Sequence, residues 1–500
     1  MSAPPGPRTS APGFTRALGL RAAVAVNMTQ MCGIGPFVTI PLMVAAVGGP
    51  QAILGWIVGA LLAIADGVVW AELGAAMPGS GGTYLYLREA FQYTTGRLMP
   101  FLFIWSGIVS IPLIMSTGVI GLVKYLGYYA PGMTTGEMRV AALVVVALVV
   151  FALYRSVSAV GKLAGLLWIV MLLAVGAVTI AAFTRFDPHL AFTYPEGAFR
   201  LSPRFFAGMG SGLVIAVYDY LGYNTVAYMG DELRDPGRVM PRAILYSILG
   251  MMLIYLTMNV AILGAVPWQQ IARSESIGSV VLERAWGVGA ARGFTALIVL
   301  TGFASLVAGL LGASRVPYYA AKDKLFFSAF GRLHPTLHFP HVALFVMAAV
   351  TAIGCFFTLT DVINVLTAVF VLVQSLAQIA ALTVLRRRQP TLKRPYRMVL
   401  YPLPGLVAGV GWIYVYVSSG LGAILLSLAW IGAGVIAFLV WARVERTWPF
   451  GPKEIREAFL ASDRDGAASG EGPIVQREIH HEVARVLSIS PDPSDASPRA

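Results

Sequence analysis

Apolar positions in this chain do not alternate with polar ones; they come in long blocks. Twelve blocks stand out, at about 20–46, 51–77, 97–123, 138–155, 160–183, 204–230, 240–266, 289–321, 341–358, 361–385, 402–420 and 422–443. An α-helix needs roughly 20 mostly apolar residues to cross a bilayer. The pattern therefore predicts an all-α polytopic membrane protein with twelve transmembrane helices. Two blocks are interrupted at their centres. The first contains Gly33-Ile34-Gly35-Pro36 and, five residues on, Pro41. In a helix interior Gly costs about 1 kcal/mol and Pro about 3 relative to Ala. In hydrocarbon the freed backbone groups are tolerated only where they are buried or line a cavity. The block is thus expected to form two half-helices, the second starting at Pro36, whose missing N–H and preset φ suit a first helical position. The N–H groups of Ile34 and Gly35 then lie at the midplane beside a positive dipole end, a place for a carboxylate. From this stretch alone a kinked helix with closely packed glycines is the alternative. The sixth block carries Tyr218-Asp219-Tyr220-Leu221-Gly222-Tyr223-Asn224 at mid-depth. Acids inside a membrane face a cavity or a partner. Two interrupted helices five blocks apart point to an inverted five-plus-five repeat with a ligand between them, and that outweighs the kinked-helix alternative.

Charge adds an orientation. Of 500 residues, 57% are hydrophobic and 12% charged, and the net charge is +12. With the N-terminus inside, the inward segments before residue 450 hold 22 Lys and Arg, among them Arg155, Lys162, Arg234, Arg238, Arg242 and Arg386–Arg388; the outward segments hold eight. The positive-inside rule then places both termini in the cytoplasm, and it accounts for the basic excess without nucleic acid. Residues 1–19 read as a cytosolic tail rather than a signal peptide. Residues 451–500 carry fifteen charged side chains with Ser and Pro, a composition that predicts disorder, with room for a short amphipathic helix at 474–487. The two cysteines, Cys32 and Cys355, both fall in apolar blocks, which suggests neither a disulfide framework nor a metal site.

Several motifs, in order and spanning about residues 20–440, resemble those of the amino acid–polyamine–organocation superfamily. Gly33-Ile34-Gly35-Pro36-Phe37-Val38 is similar to its Gly-Ser-Gly-Ile-Phe-Val signature. Glu72 followed by Pro78-Gly79-Ser80-Gly81-Gly82-Thr83-Tyr84 is similar to its loop after the second helix. Asp231-Glu232-Leu233-Arg234-Asp235-Pro236 with Pro241-Arg242-Ala243-Ile244, and Ser314-Arg315 with Tyr319-Ala320-Ala321-Lys322-Asp323, match later stretches. The resemblance implies the leucine-transporter-like fold: ten core helices in two inverted repeats plus two more. Residues 20–183 and 204–386 are then the repeats, 387–443 a cytosolic loop with helices eleven and twelve, and 444–500 a cytosolic tail. It further implies that the backbone of Gly33, Ile34 and Gly35 takes an amino acid's carboxylate, and that carbonyls at Tyr218, Asp219 and Leu221 take its ammonium. Tyr218 matches an aromatic lid, and Tyr223-Asn224 the family's Trp-Asn pair. Two departures matter. Asp219 stands where amino-acid members often carry a small residue, so it either pairs with a cationic ligand or stays protonated among loose carbonyls. Met171 stands where some proton-coupled members carry a lysine, while Lys162 lies two turns nearer the cytosol.

The implied function is a secondary transporter of the cytoplasmic membrane that moves amino acids by alternating access, as a proton symporter. A polyamine or cationic-amine carrier, or an amino-acid exchanger, is the alternative. Asp66, Glu72 and Asp219 are the carboxyl candidates for proton coupling. Asp66 is either a relay or a structural acid bonded to Asn27 or Gln30. A sodium site would draw on Thr29, Thr301 and Ser305. The chain has no Ser/His/Asp set, metal-ligand spacing or phosphate-binding loop, which argues against an enzyme, a cofactor or ATP-driven transport. Broken helices also build channel filters; saturable counterflow separates a transporter from that class.

Overall fold

The computed structural model describes residues 18–444 except 80, 156–159, 323–325 and 335–338, with side chains also excepted at 93 and 155–168. The two tails, the helix expected at 474–487, Ser80 and the Lys162 side chain lie outside the described residues. The first apolar block is α1 (Leu20–Met31) and α2 (Gly35–Val47), with axes bent by 55°. A 3-10 turn leads into α3 (Ile53–Ala76), then α4 (Thr83–Thr95), α5 (Leu98–Leu126), α6 (Thr135–Arg155), α7 (Val160–Phe183) and the short α8 (Pro188–Phe192). The sixth block is α9 (Pro203–Tyr220), a break, and a 3-10 helix at Thr225–Glu232. There follow α10 (Pro236–Ala265), the short α11 (Trp268–Ile271), α12 (Ile277–Trp286), α13 (Val288–Lys322) and α14 (His341–Gly354). α15 (Leu359–Phe370) continues through a π-helical turn at Val371–Leu376 into α16 (Ala377–Arg388), and α17 (Leu403–Ser418) and α18 (Leu421–Val444) complete the described chain.

Each of the twelve apolar blocks falls on helical segments, divided in the first block between α1 and α2 and in the sixth by the break after α9. Among the described residues, eight segments are long and apolar enough to cross a membrane, the bent α1–α2 pair passes the same test together, and three shorter apolar helices lie at Ile169–Phe183, His341–Gly354 and Leu403–Ser418. Helix starts follow local chemistry. Ser202 accepts from the Phe205 N–H at 3.2 Å with Pro203 next to it, and Thr358 accepts from the Asp361 N–H at 3.2 Å; both satisfy donors that a helix N-terminus leaves unpaired. Outward faces of α6, α17 and α18 carry exposed Leu148, Phe151, Val410, Leu425 and Val440. A soluble protein would bury such side chains, and lipid is the solvent that suits them.

Packing sorts the helices into two groups. α1, α2, α3, α9 and α10 pack on one another, with α3 against α10, α1 against α10, and α2 against α9. α5, α6, α13 and α14 form the second group, with α5 against α13 and α14, and α6 against both. α7 touches α10 and α13, and α15 touches α5 and α9. Both breaks belong to the first group.

Candidate functional site

The two breaks are apposed. α1 ends with the Cys32 N–H bonded to the Met28 carbonyl at 2.9 Å, and α2 restarts at Gly35. Among the described residues the N–H groups of Gly33 and Ile34 have no backbone partner. In the second break Leu221 is extended and Gly222 has φ +118, a conformation suited to glycine. A Cβ on Gly222 would lie 2.8 Å from Gln30 Cβ and 3.2 Å from the Met31 nitrogen. The missing side chain is thus what lets the second break press against the first.

Three buried polar side chains staple the breaks together. Asn27 of α1 donates to the Tyr223 carbonyl at 2.5 Å and accepts from the Val226 N–H at 2.9 Å. The Tyr255 hydroxyl of α10 sits 2.7 Å from the Met31 carbonyl and 3.0 Å from that of Asp219, between the ends of α1 and α9. Thr39 Oγ1 of α2 bonds Asp219 Oδ2 and lies 3.0 Å from the Gly35 carbonyl. A helix break in hydrocarbon must have its freed groups satisfied, and these side chains do much of that. Thr39 and Tyr255 were not singled out from the sequence, and Asn27 was named only as a partner for Asp66; the one signal available was a polar side chain inside an apolar block.

The predicted ligand residues are partly rearranged. Asp219 is buried, and its Oδ1 would lie 2.7 Å from a Cβ on Gly35. A protein carboxyl therefore stands at the N-terminal end of α2, where the dipole favours negative charge and where the sequence reserved room for a ligand carboxylate. Open space remains at Gly33, where an added Cβ meets nothing within 4 Å. Of the three carbonyls expected to hold an ammonium, that of Tyr218 accepts from the Leu221 N–H at 3.2 Å and that of Asp219 faces Tyr255. Each keeps one lone pair, and the Leu221 carbonyl has no partner among the described residues. The Tyr218 hydroxyl pairs with Thr117 of α5 at 2.6 Å, and its ring packs with Leu113, Val362 and Leu366 of α5 and α15. Tyr218 thus bridges the two helix groups. Asn224 is buried, and its carbonyl accepts from the Ala227 N–H at 2.9 Å.

The acid and hydroxyl candidates separate. Asp66 is not bonded to Asn27 or Gln30. Its Oδ2 accepts from the Tyr223 hydroxyl at 2.5 Å and from Trp70 Nε1 at 3.0 Å, and its Oδ1 accepts from Trp412 Nε1 of α17 at 3.0 Å. Trp70, one turn along α3, was within reach of helical spacing; Trp412, on a distant helix, was not. Glu72 lies away from the breaks. It takes a two-pronged bond from Arg386, a contact from Arg394 at 3.6 Å and the Met398 N–H at 2.8 Å. Burial pulls the Arg394 guanidinium down from its usual range, and neighbouring Glu72 works against that. Thr29 and Thr301 each donate to their own helix, at 2.6 Å to Ala25 and 2.7 Å to Leu297, and Ser305 is exposed. No hydrogen bond among the described residues joins these three. Met171 is buried.

Fold and site together define a multi-pass α-helical membrane protein with two discontinuous helices apposed at a polar centre. The comparisons agree. The family model described as amino acid permease matches residues 18–451. The chain is 24% identical to the branched-chain amino acid permease BcaP of Bacillus subtilis (strain 168), covering 85% of this chain and 91% of that one. It is 24% identical to the serine/threonine exchanger SteT of the same organism, over 81% of this chain and 92% of the relative. It is also 24% identical to that organism's aspartate-proton symporter, over 88% of this chain and 85% of the relative. The chain belongs to the amino acid permease family.

Proposed function

We propose that the protein carries amino acids across the cytoplasmic membrane with protons, by alternating access. The observation that carries this reading is the apposition of the two breaks. N–H groups at Gly33 and Ile34 that have no backbone partner among the described residues lie beside a second break that offers the Leu221 carbonyl and the Asp219 carboxyl. A zwitterion matches that set: its carboxylate suits the N–H groups beside the open space at Gly33, and its ammonium suits the acceptors of the second break. In this reading the eight long segments, the bent pair and the three shorter helices make twelve spans with both termini cytoplasmic, and 20–183 and 204–386 are inverted repeats. The group containing α1, α2, α3, α9 and α10 rocks against the group of α5, α6, α13 and α14. Contact between Tyr218 and Thr117 closes the lid. One relative is named a symporter and another an exchanger; the buried acids at the centre support the proton-coupled form.

Asp219 also supports a second reading, transport of cationic amines, because a carboxyl already occupies the end of α2. One experiment separates the two. The detergent-purified full chain is heated with each of the twenty amino acids, putrescine and spermidine. A ligand that binds only the folded state stabilises it by about 2.7 kcal/mol at a hundred times its Kd. Stabilisation by neutral amino acids supports the zwitterion reading, and stabilisation by polyamines alone replaces it. In Asp219→Asn, binding of cationic ligands should weaken by about tenfold or more, as a lost charge-assisted bond implies, with neutral ligands little changed. Equal loss for both classes removes Asp219 from ligand recognition.

A further inference from the structure

Asp66 is a buried acid with an uncommon set of partners. Three donors hold it, none is cationic, and among the described residues it joins no ion pair. Two of the donors are indole N–H groups, which can only donate; the Tyr223 hydroxyl is the one partner able both to donate and to accept. Other titratable groups on the elements packed around α3 are engaged elsewhere. Tyr228 lies beyond the Trp70 ring, Tyr220 and Tyr255 turn to Trp56, and Asp219 is held by Thr39. Tyr414 of α17 donates to the Phe206 carbonyl, and Arg386 of α16 pairs with Glu72.

This shell accommodates either protonation state, at a defined structural cost. Ionised Asp66 accepts all three donors. When Oδ2 takes up a proton, the neutral carboxyl donates that O–H to Tyr223 Oη, both indoles keep their acceptors, and the tyrosine's own hydrogen has to turn away to another acceptor. Tyr223 lies in the second break. Its carbonyl is held by Asn27 of α1, and it is separated from Leu221 only by Gly222, which rests on Gln30 and Met31. A change at the Tyr223 hydroxyl is therefore made inside the segment proposed to hold the ligand.

We propose that Asp66 is the seat of the coupling proton and that Tyr223 is the positioning residue through which its protonation reaches the ligand site, with Trp412 of α17 fixing the carboxyl from outside the ten-helix core. The proposal rests on the proton-coupled reading above. One proton enters from the outer solution, neutralises Asp66 while ligand is bound, and leaves to the cytosol after the ligand. Binding of proton and ligand then favour each other by equal factors.

The test uses the full chain in proteoliposomes with radiolabelled leucine, serine, aspartate and putrescine, tried in turn. Uptake under an inward proton gradient and gradient-free counterflow are both recorded. The expected wild-type result is stimulation by the gradient of about tenfold, a typical coupling factor. In Asp66→Asn that stimulation should vanish while counterflow persists. In Tyr223→Phe, loss of a donor to the ionised carboxylate should move half-maximal uptake toward alkaline pH by about one unit. Gradient-driven uptake retained in Asp66→Asn overturns the proposal and leaves proton coupling standing. A wild type indifferent to the gradient overturns both. If Asp66→Asn loses counterflow as well, Tyr223→Phe decides: an unmoved pH profile overturns the proposal.

Discussion

Asp66 and Glu72 sit six residues apart on α3, both buried, yet the protein treats them in opposite ways. Asp66 meets a tyrosine hydroxyl and two indoles at the centre of the bundle, while Glu72 meets two guanidinium groups and a backbone N–H near the C-terminal end of α3. A paired arginine fork holds a carboxylate in its ionised form and adds geometric specificity. It also ties α3 to α16 and to the segment around Met398, with the Arg386 guanidinium 3.8 Å from the centre of the Tyr401 ring. Neutral donors do less to fix the charge, because a protonated acid can still satisfy them. An acid at the end of a membrane helix thus serves as a clamp when cations reach it, and an acid at mid-depth stays able to change state when none does.

That contrast can be broken at several points. The largest stability effect is expected from Glu72→Gln, which leaves Arg386 and Arg394 facing a neutral amide. Removing one partner of a buried ion pair costs about 3–5 kcal/mol, so the unfolding midpoint in detergent should fall sharply. A midpoint close to wild type would show the cluster to be dispensable. Next comes Gly222→Ala, which strains the break beside Tyr223 and leaves the Glu72 cluster untouched. A side chain in a left-handed conformation costs roughly 1–3 kcal/mol, and the added Cβ would also press on Gln30. Ligand binding should weaken more than global stability, as read by thermal shift with and without ligand; parallel losses would argue against a role specific to the break. The smallest effect is expected from Trp412→Phe, which removes one donor from Asp66 at a cost of about 1 kcal/mol. Its distinctive sign is an alkaline shift of the pH profile of uptake. A stability loss without that shift would make Trp412 a packing residue only.

Legibility in the sequence followed the range of the interactions. Breaks announce themselves because glycine and proline act on their own backbone, so Gly33–Pro36 and Gly222 marked both interruptions without any partner in view. The spacing of Asp66 and Trp70 on one helix face was equally local. The 3-10 continuation after Asn224 was not legible, since the segment reads as apolar helix. Nor was the use made of Glu72, whose cations come from more than 300 positions away. The alternative in which Asp66 is a structural acid bonded to Asn27 or Gln30 named the wrong partners for the same reason: periodicity assigns a residue to a face but does not say which helix covers it.

By itself the sequence determined the all-helical membrane class, the positions of the apolar helices and the places where two of them break, because burial in lipid and backbone hydrogen bonding act segment by segment. Only the tertiary structure decided what fills the breaks. Asn27, Thr39 and Tyr255 satisfy the freed backbone groups, Asp219 stands at the start of α2, and Trp412 and Tyr223 hold Asp66. Those are contacts between helices far apart in the chain, chosen by how the helices pack, and hydropathy carries no record of them.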